Sequence, residues 1–392
     1  MTRQILSTLG LIFVFLLSNS TTAQTLTEVV QITLRTNPEI LASKYNVEAA
    51  EELHDQARAA YFPTIDLVMA GGREMSDNTT TRASGVDKRY LSRDEKSIRL
   101  TQLLFDGGAT SGFVKQQDAL AEAATARLVS SRENVSLRAV RVYLEVLRRD
   151  EVVDLAEENL RHHDNTLRKI EERFASGVGT KVDVVQTQGR RAQSRSNVLL
   201  SRRDADNGRA QFFRVVGEHP RDLERPAPIS GLPNTLDQAL KIAYQNNPAL
   251  QAAEADLEAA RAAHKRAEGV FYPRVNLELG ATRNNDTDGT LGANDDETAV
   301  VRMTYNIYRG GADRARLNEA EAREFAAREA VRSVRRGVKE DVTLIWNELQ
   351  DILLRLEYLE AHVRSTDEVL VVYTEKMRLG QRTLLDVLDI QN

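Results

Sequence analysis

The sequence predicts a mostly helical chain made of two copies of one helix–strand–strand–helix unit, with strands of membrane-crossing length. Three observations carry that reading. Short motifs recur in the same order 210 and then 203 residues further along the chain. Residues 113–176 contain neither Gly nor Pro, so a very long helix fits there. Two segments of strict period-two alternation stand between the helical stretches of the second copy.

Composition narrows the function classes. The 392 residues are 41% hydrophobic, 28% charged and only 5% aromatic, with a formal net charge of −5. That balance excludes a generally basic nucleic-acid binder, because little would neutralise a phosphate backbone. Cysteine is absent, which removes thiol catalysis, Cys-ligated zinc, disulfides and lipid anchoring through cysteine.

Residues 1–23 read as a secretory signal. Arg3 supplies the positive start, Leu9 to Leu17 is an apolar run broken only by Gly10, and Thr21-Thr22-Ala23 offers small residues before Gln24. A membrane-spanning helix needs about 20 apolar residues. This run is too short and no later one approaches that length, so any membrane crossing falls to β-strands.

The repeat is punctuated by its prolines. Asn37-Pro38 recurs as Asn247-Pro248, and Tyr61-Phe62-Pro63 as Phe271-Tyr272-Pro273, each 210 residues later. Phe105-Asp106-Gly107-Gly108 recurs as Tyr308-Arg309-Gly310-Gly311, and Gly177-x-x-Thr180-x-x-Asp183-Val184 as Gly380-x-x-Thr383-x-x-Asp386-Val387, each 203 residues later. The change of spacing places a longer loop in the first copy between Pro63 and Gly107. Pro220, Pro226, Pro228 and Pro233 all lie between the copies and mark a non-helical linker. The expected organisation is a first repeat over 24–216 with strands near 63–73 and 95–105, and a Pro-rich linker over 217–235. A second repeat over 236–392 follows, with strands near 273–283 and 297–308. Residues 190–216 of the first copy have no counterpart after Asn392, so the last helix is expected to be incomplete and the chain a fragment.

Within each copy a helix breaks at Asn-Pro, where proline removes a helix hydrogen bond. In the second copy Val275, Leu277, Leu279 and Ala281 share one strand face, and Arg274, Asn276 and Glu278 the other. Ala299, Val301, Met303, Tyr305 and Ile307 alternate likewise with Arg302, Thr304 and Asn306. The first copy is less regular: Ile65, Leu67 and Met69 share a face, then Ile98, Leu100 and Leu104, with Gln102 breaking the pattern. Strands of roughly 9–11 residues cross a bilayer when tilted, although a soluble hairpin would alternate too. Beyond the strands, Val146, Val153, Leu160, Leu167 and Phe174 recur every seven residues, and Leu349, Leu356, Val363, Leu370 and Met377 repeat them 203 residues later. A heptad asks for a supercoiled neighbour. A soluble coiled-coil rod would satisfy the heptads but leaves the strands unexplained.

Export signal, duplicated units, Asn-Pro breaks, Phe-Asp-Gly-Gly after a strand and the Thr-x-x-Asp-Val turns together resemble the TolC family of outer-membrane efflux and type I secretion channels. No one of these motifs is specific; their order, given twice, is, and it covers essentially the whole mature chain. The Leu103–Gly108 run and the longer first loop are most similar to the branch serving type I export of large adhesins or RTX-type proteins. The resemblance implies a homotrimer with a transmembrane 12-stranded β-barrel and a long periplasmic α-helical barrel, the linker lying in its equatorial region. It also implies an outer-membrane duct extending into the periplasm, surrounded by outer-membrane lipid and working with a periplasmic adaptor and an inner-membrane ABC or RND transporter. A periplasmic adaptor or coiled-coil scaffold is the competing class; an adaptor would carry one hairpin between split lipoyl-like halves instead of two strand-bearing copies.

Candidate chemistry is sparse. His162-His163-Asp164 places adjacent residues on a helix, where they do not face one another, so a solvated helix face is expected in place of a metal site. Asp286, Asp288, Asp295, Asp296 and Glu297 lack EF-hand spacing and read as an external loop. No Ser/His/Asp constellation, phosphate loop or HExxH occurs, so neither an enzyme nor a cofactor is expected. Asp386 and Asp389 stand at i, i+3 just past a turn, on one helical face. They match the family's double-aspartate constriction at the periplasmic tunnel mouth, which the resemblance assigns to them. Arg382 matches a family latch position, with Asp183 as its matching partner. Val182 and Met377 depart from that latch, where a hydroxyl and a tyrosine would stand.

Overall fold

The computed structural model describes residues 23–379 and Gln381. The predicted signal up to Thr22, together with Arg382, Asp386 and Asp389, lies outside the described residues. The first copy runs α1 (Leu26–Thr36), α2 (Pro38–Ala59), β1 (Thr64–Ser76), α3 (Thr79–Ala83), β2 (Arg89–Phe105), α4 (Ala109–Ala175) and α5 (Lys181–Val216). The second runs α6 (Leu236–Asn246), α7 (Pro248–Glu268), a 3₁₀ turn (Gly269–Phe271), β3 (Arg274–Asn285), β4 (Ala293–Thr304) and α8 (Ala312–Arg378).

The duplication is exact at the helix starts. α6 and α7 begin 210 residues after α1 and α2, and α8 begins 203 after α4. Both long helices have 67 residues, about 100 Å at 1.5 Å per residue. Each Asn-Pro pair ends one helix and opens the next. Asn247 leaves the helical region at φ −69°, ψ 117°, and its side chain accepts from the Leu250 amide at 3.0 Å. Proline then occupies the first helical position, where an amide would be unsatisfied anyway.

Two compact units emerge, and they do not follow the repeats. One gathers the chain up to Asn37 with Ser136–Pro228; the other gathers Pro38–Val135 with the chain from Ile229 onward. In the first, Val29 of α1, Tyr143 and Val146 of α4, and Phe212 and Val216 of α5 form one buried cluster. The Tyr143 hydroxyl lies 2.9 Å from the Gln24 carbonyl and 2.5 Å from that of Glu224. Gln24 also bridges Leu223 in parallel. The residues after α5 are therefore clamped onto the helices as far as Glu224 and do not hang as a free connector. Tyr143→Phe leaves two carbonyls facing a buried ring edge, a loss of about 1–3 kcal/mol. The expected result is faster limited proteolysis within 217–228, with cleavage elsewhere unchanged.

The α4–α5 hairpin turns at Gly177, in the left-handed region at φ +77°. Polar rungs join its arms: Asp164–Arg191 at 2.5 Å, Asn159–Ser194 at 2.8 Å, Glu157–Arg202 at 2.7 Å and Asp150–Arg209 at 2.6 Å. On α4, hydrogen bonds from Arg148 and then Arg149 hold the Glu145 carboxyl down to about 2. His163 corrects the expectation of a solvated face: it is 1% exposed, whereas the neighbouring His162 is open. Consecutive helix positions point about 100° apart, so a helix packed on one side buries one of two neighbours and leaves the other outside.

The second unit holds the single sheet seen among the described residues, antiparallel in the order β1-β2-β3-β4. α7 and α8 are tied beside it by His264 Nδ1 to Glu324 at 3.0 Å, with Arg328 at 2.9 Å from the same carboxylate. The His264 bond is the largest influence lowering the Glu324 carboxyl.

Candidate functional site

Cross-strand register sorts the sheet into two faces, because directly opposed residues point the same way. Leu67 faces Ile98, which faces Ala281; Ile65 faces Leu100, which faces Leu279, which faces Ala299. Leu277 with Val301 and Val275 with Met303 complete one apolar face. The other face carries Asp66 opposite Arg99, Thr64 opposite Thr101, and Glu278, whose carboxylate accepts from Arg302 at 2.8 Å. Among the described residues no helix is long and apolar enough to cross a membrane. The sheet supplies part of what such a crossing needs instead: β2 and β3 are paired on both sides, and one face is apolar and the other polar.

Two irregularities in the first copy become intelligible. The β2–β3 register shifts between Leu103 and Phe105, so Phe105, not Leu104, lies opposite Val275 on the apolar face. A bulge of this kind flips every later side chain by one position. Gln102 does stand on the apolar face, and its Nε2 donates to the Tyr61 carbonyl at 2.9 Å and to that of Leu103 at 2.8 Å. Its polar end is thereby satisfied.

The strands also extend further than expected at the turn ends. β2 starts at Arg89 and β4 at Ala293, so Asp295, Asp296 and Glu297 are strand residues and not loop. Asp295 pairs with Arg283 at 3.1 Å, a charged rung beyond the apolar band where water is available. At the other end β4 stops at Thr304, four residues short of expectation. Asp286 and Asp288 remain in the turn, both at positive φ.

One contact had no counterpart in the sequence reading. The β1–β2 loop folds as α3, capped reciprocally by Asn78 and Thr81, and the β3–β4 turn docks on it. Asn78 Nδ2 donates to the Asp288 carbonyl at 2.8 Å, the Gly289 amide donates to Glu74 at 3.0 Å, and Arg89 reaches the Gly289 carbonyl at 3.1 Å. The Asn78-x-x-Thr81 capping pattern beside Asp288-Gly289 was the available signal. A Cβ on Gly289 would stand 2.5 Å from Thr81 Cγ2, and its φ of +80° disfavours any side chain. Gly289→Val should therefore undock the two loops. The check is protease added to whole cells: cleavage within 77–88 should rise at least several-fold while membrane insertion is kept.

Of the expected aperture residues, Asp183 alone is described. It occupies the third position of α5 in a capping box: the Thr180 hydroxyl donates to its carboxylate at 2.8 Å, and the Asp183 amide donates to that hydroxyl at 3.2 Å. Its carboxylate is thus fixed at the α4–α5 turn and stabilised by the helix N-terminus. Among the described residues no group of three or more His, Asp or Glu gathers as a metal site.

Known proteins share this arrangement. The family described as "Outer membrane efflux protein" matches residues 29–218 and 239–392. The chain is 26% identical to the outer membrane efflux protein BepC of Brucella suis biovar 1, over 94% of this chain and 79% of that protein. It is 23% identical to the outer membrane protein TolC of Escherichia coli K12, over 95% and 77% respectively. In fold it superposes on the open state of the Neisseria gonorrhoeae MtrE outer membrane channel with a TM-score of 0.79 at 18% identity, covering 93% of this chain and 82% of that one. A duplicated helix–strand–strand–helix chain with an amphipathic four-stranded sheet, matched along nearly its whole length, belongs to the outer membrane efflux protein family, the TolC-type channels of the outer membrane.

Proposed function

We propose that this chain is the passive exit duct of a tripartite export system and closes as a homotrimer, each copy giving four strands to one 12-stranded barrel. The observation that carries the reading is the sheet itself. It has one apolar and one polar face, and both β1 and β4 pair on one side only. Unpaired strand edges are costly in hydrocarbon, so the protomer cannot cross alone, and closure with further copies removes every edge. The duct performs no catalysis and holds no cofactor. An inner-membrane ABC or RND transporter supplies the energy and a periplasmic adaptor joins the two.

The periplasmic mouth is gated by Asp386 and Asp389, with Arg382 drawn to Asp183 of a neighbouring helix pair. Asp183 at the hairpin turn, fixed by its capping box, is suitably presented for that role. With Val182 and Met377 in the two other latch positions, the ion pair carries more of the closure than a full hydrogen-bonded latch would leave to it. Exposed pairs contribute only about 0–1 kcal/mol each, so such a mouth opens readily. Cell fractionation tests the assignment: the protein should sediment with outer-membrane vesicles and resist extraction by high salt. Recovery wholly in the soluble periplasm would replace the duct by an adaptor or scaffold.

A further inference from the structure

We infer that the mature chain begins with pyroglutamate: once the export signal is cut after Ala23, the new amine of Gln24 closes on its own side-chain amide, and the lactam fills the cradle that residues 221–224 and Tyr143 build around it. Cleavage at that point is the expectation set by the small residues Thr21-Thr22-Ala23. The ring is a covalent modification beyond that expectation.

Burial changes abruptly at this junction. Ala23 is exposed, whereas Gln24 is only 5% exposed. The head of a chain stays in water unless it is tied down, and four hydrogen bonds tie this residue. The Gln24 amide donates to the Asp222 carbonyl at 3.0 Å, and Gln24 Oε1 accepts from the Arg221 amide at 3.3 Å. The Gln24 carbonyl accepts from the Glu224 amide at 3.2 Å and from the Tyr143 hydroxyl at 2.9 Å. Asp222 holds a positive φ of 33°, a conformation that a residue other than glycine keeps only where its surroundings impose it.

One atom of Gln24 is left over. Nε2 is buried and has no hydrogen-bond partner. Buried polar groups are nearly always paired, so an orphan of this kind calls for a cause. A free terminus adds a second defect. The nitrogen that donates to Asp222 becomes an ammonium with three N–H groups, and the cradle gives it that one carbonyl. A charge withdrawn from water with so few partners is costly.

Cyclisation removes both defects and keeps every bond already made. The unprotonated amine attacks the side-chain amide carbon. A nitrogen–carbon bond forms, the Cδ–Nε2 bond breaks, and Nε2 leaves as ammonia with the proton that the amine gives up. No oxidant, reductant or second substrate enters. The lactam retains one N–H for the Asp222 carbonyl, Oε1 for the Arg221 amide, and the main-chain carbonyl for Glu224 and Tyr143. The expelled atom is the one that the fold leaves unpartnered, and the terminal charge disappears with it.

Tryptic mapping of outer membranes from cells expressing the full chain reads this terminus directly, because Arg35 is the first tryptic site after Gln24. The peptide 24–35 should be almost wholly lighter by one ammonia. An isotopically labelled peptide 24–35, added before digestion, measures cyclisation during the work-up, and the excess over it is the result. Cyclisation no greater than in that standard overturns the ring and leaves cleavage after Ala23 standing; a first peptide beginning at any other residue overturns both. Pyroglutamyl peptidase then tests whether the ring occupies the cradle. Residue 24 should be released from the urea-denatured chain and retained in the folded, detergent-solubilised protein; equal release from both overturns the placement. Gln24→Glu keeps the size and Oε1, but a carboxylate is a poor acyl acceptor, so its terminal amine persists. That variant should be cut faster than wild type within 217–228, as expected for Tyr143→Phe. An uncyclised Gln24→Glu chain cut there no faster would mean that the cradle holds a charged terminus equally well, which removes the cause proposed for the ring.

Discussion

Leu279→Arg should nearly eliminate the protein from the outer membrane. Leu279 stands on the apolar face midway along β3, flanked by Leu100 on one side and Ala299 on the other. An arginine facing lipid at the bilayer midplane costs about 2–4 kcal/mol. In the proposed trimer three copies bring that to about 6–12 kcal/mol, comparable with the whole stability of an ordinary domain. The contrasting substitution is Thr101→Arg on the opposite face, across from Glu278, where water and a carboxylate await the charge. Membrane fractionation and immunoblotting should show loss of Leu279→Arg and near-normal recovery of Thr101→Arg. Equal recovery of both would mean that the apolar face does not meet lipid.

Asp386→Ala combined with Asp389→Ala should remove most of the block of the channel by di- and trivalent cations. The i, i+3 spacing would put both carboxylates on one face of the helix that the sequence predicts there, and the proposed trimer would gather three copies of each about one axis. Like charges so confined are costly unless cations offset them, so a mouth built this way would select cations. In planar bilayers the wild-type protein should be blocked from the periplasmic side and prefer cations. The double variant should lose both properties while its trimer keeps its thermal stability. Equal block in the double variant would return these aspartates to an ordinary helix start favoured by the macrodipole.

Much of this molecule was legible because its punctuation is covalent. The Asn-Pro pairs at 37–38 and 247–248 break helices wherever they stand, so the repeat and the helix starts follow from local chemistry alone. The second strand pair was legible for a similar reason: with one face wet and one apolar, alternation survives from Val275 to Ala281 without interruption. What escaped depends on partners distant in sequence. The face of Phe105 is decided by a bulge against β3, and Gln102 is tolerated because the Tyr61 carbonyl lies beside it. The extent of β2 and β4 is set by which neighbouring strand accepts them, which no single-strand pattern records. His163 is buried on the heptad seam of α4, three residues after Leu160 and four before Leu167, a cue that was present in the sequence. The gathering of α1 with the α4–α5 hairpin, across more than a hundred residues, rests on Val29, Tyr143 and Phe212 meeting in one cluster, and periodicity within each helix cannot foresee which helices meet.

The most direct test of the account is a single-channel recording of the purified full-length protein in a planar bilayer. A passive outer-membrane duct predicts discrete steps of one uniform size, with current that follows the applied voltage and needs no nucleotide or proton gradient. A protein that stays soluble without detergent and produces no steps at any concentration would contradict it.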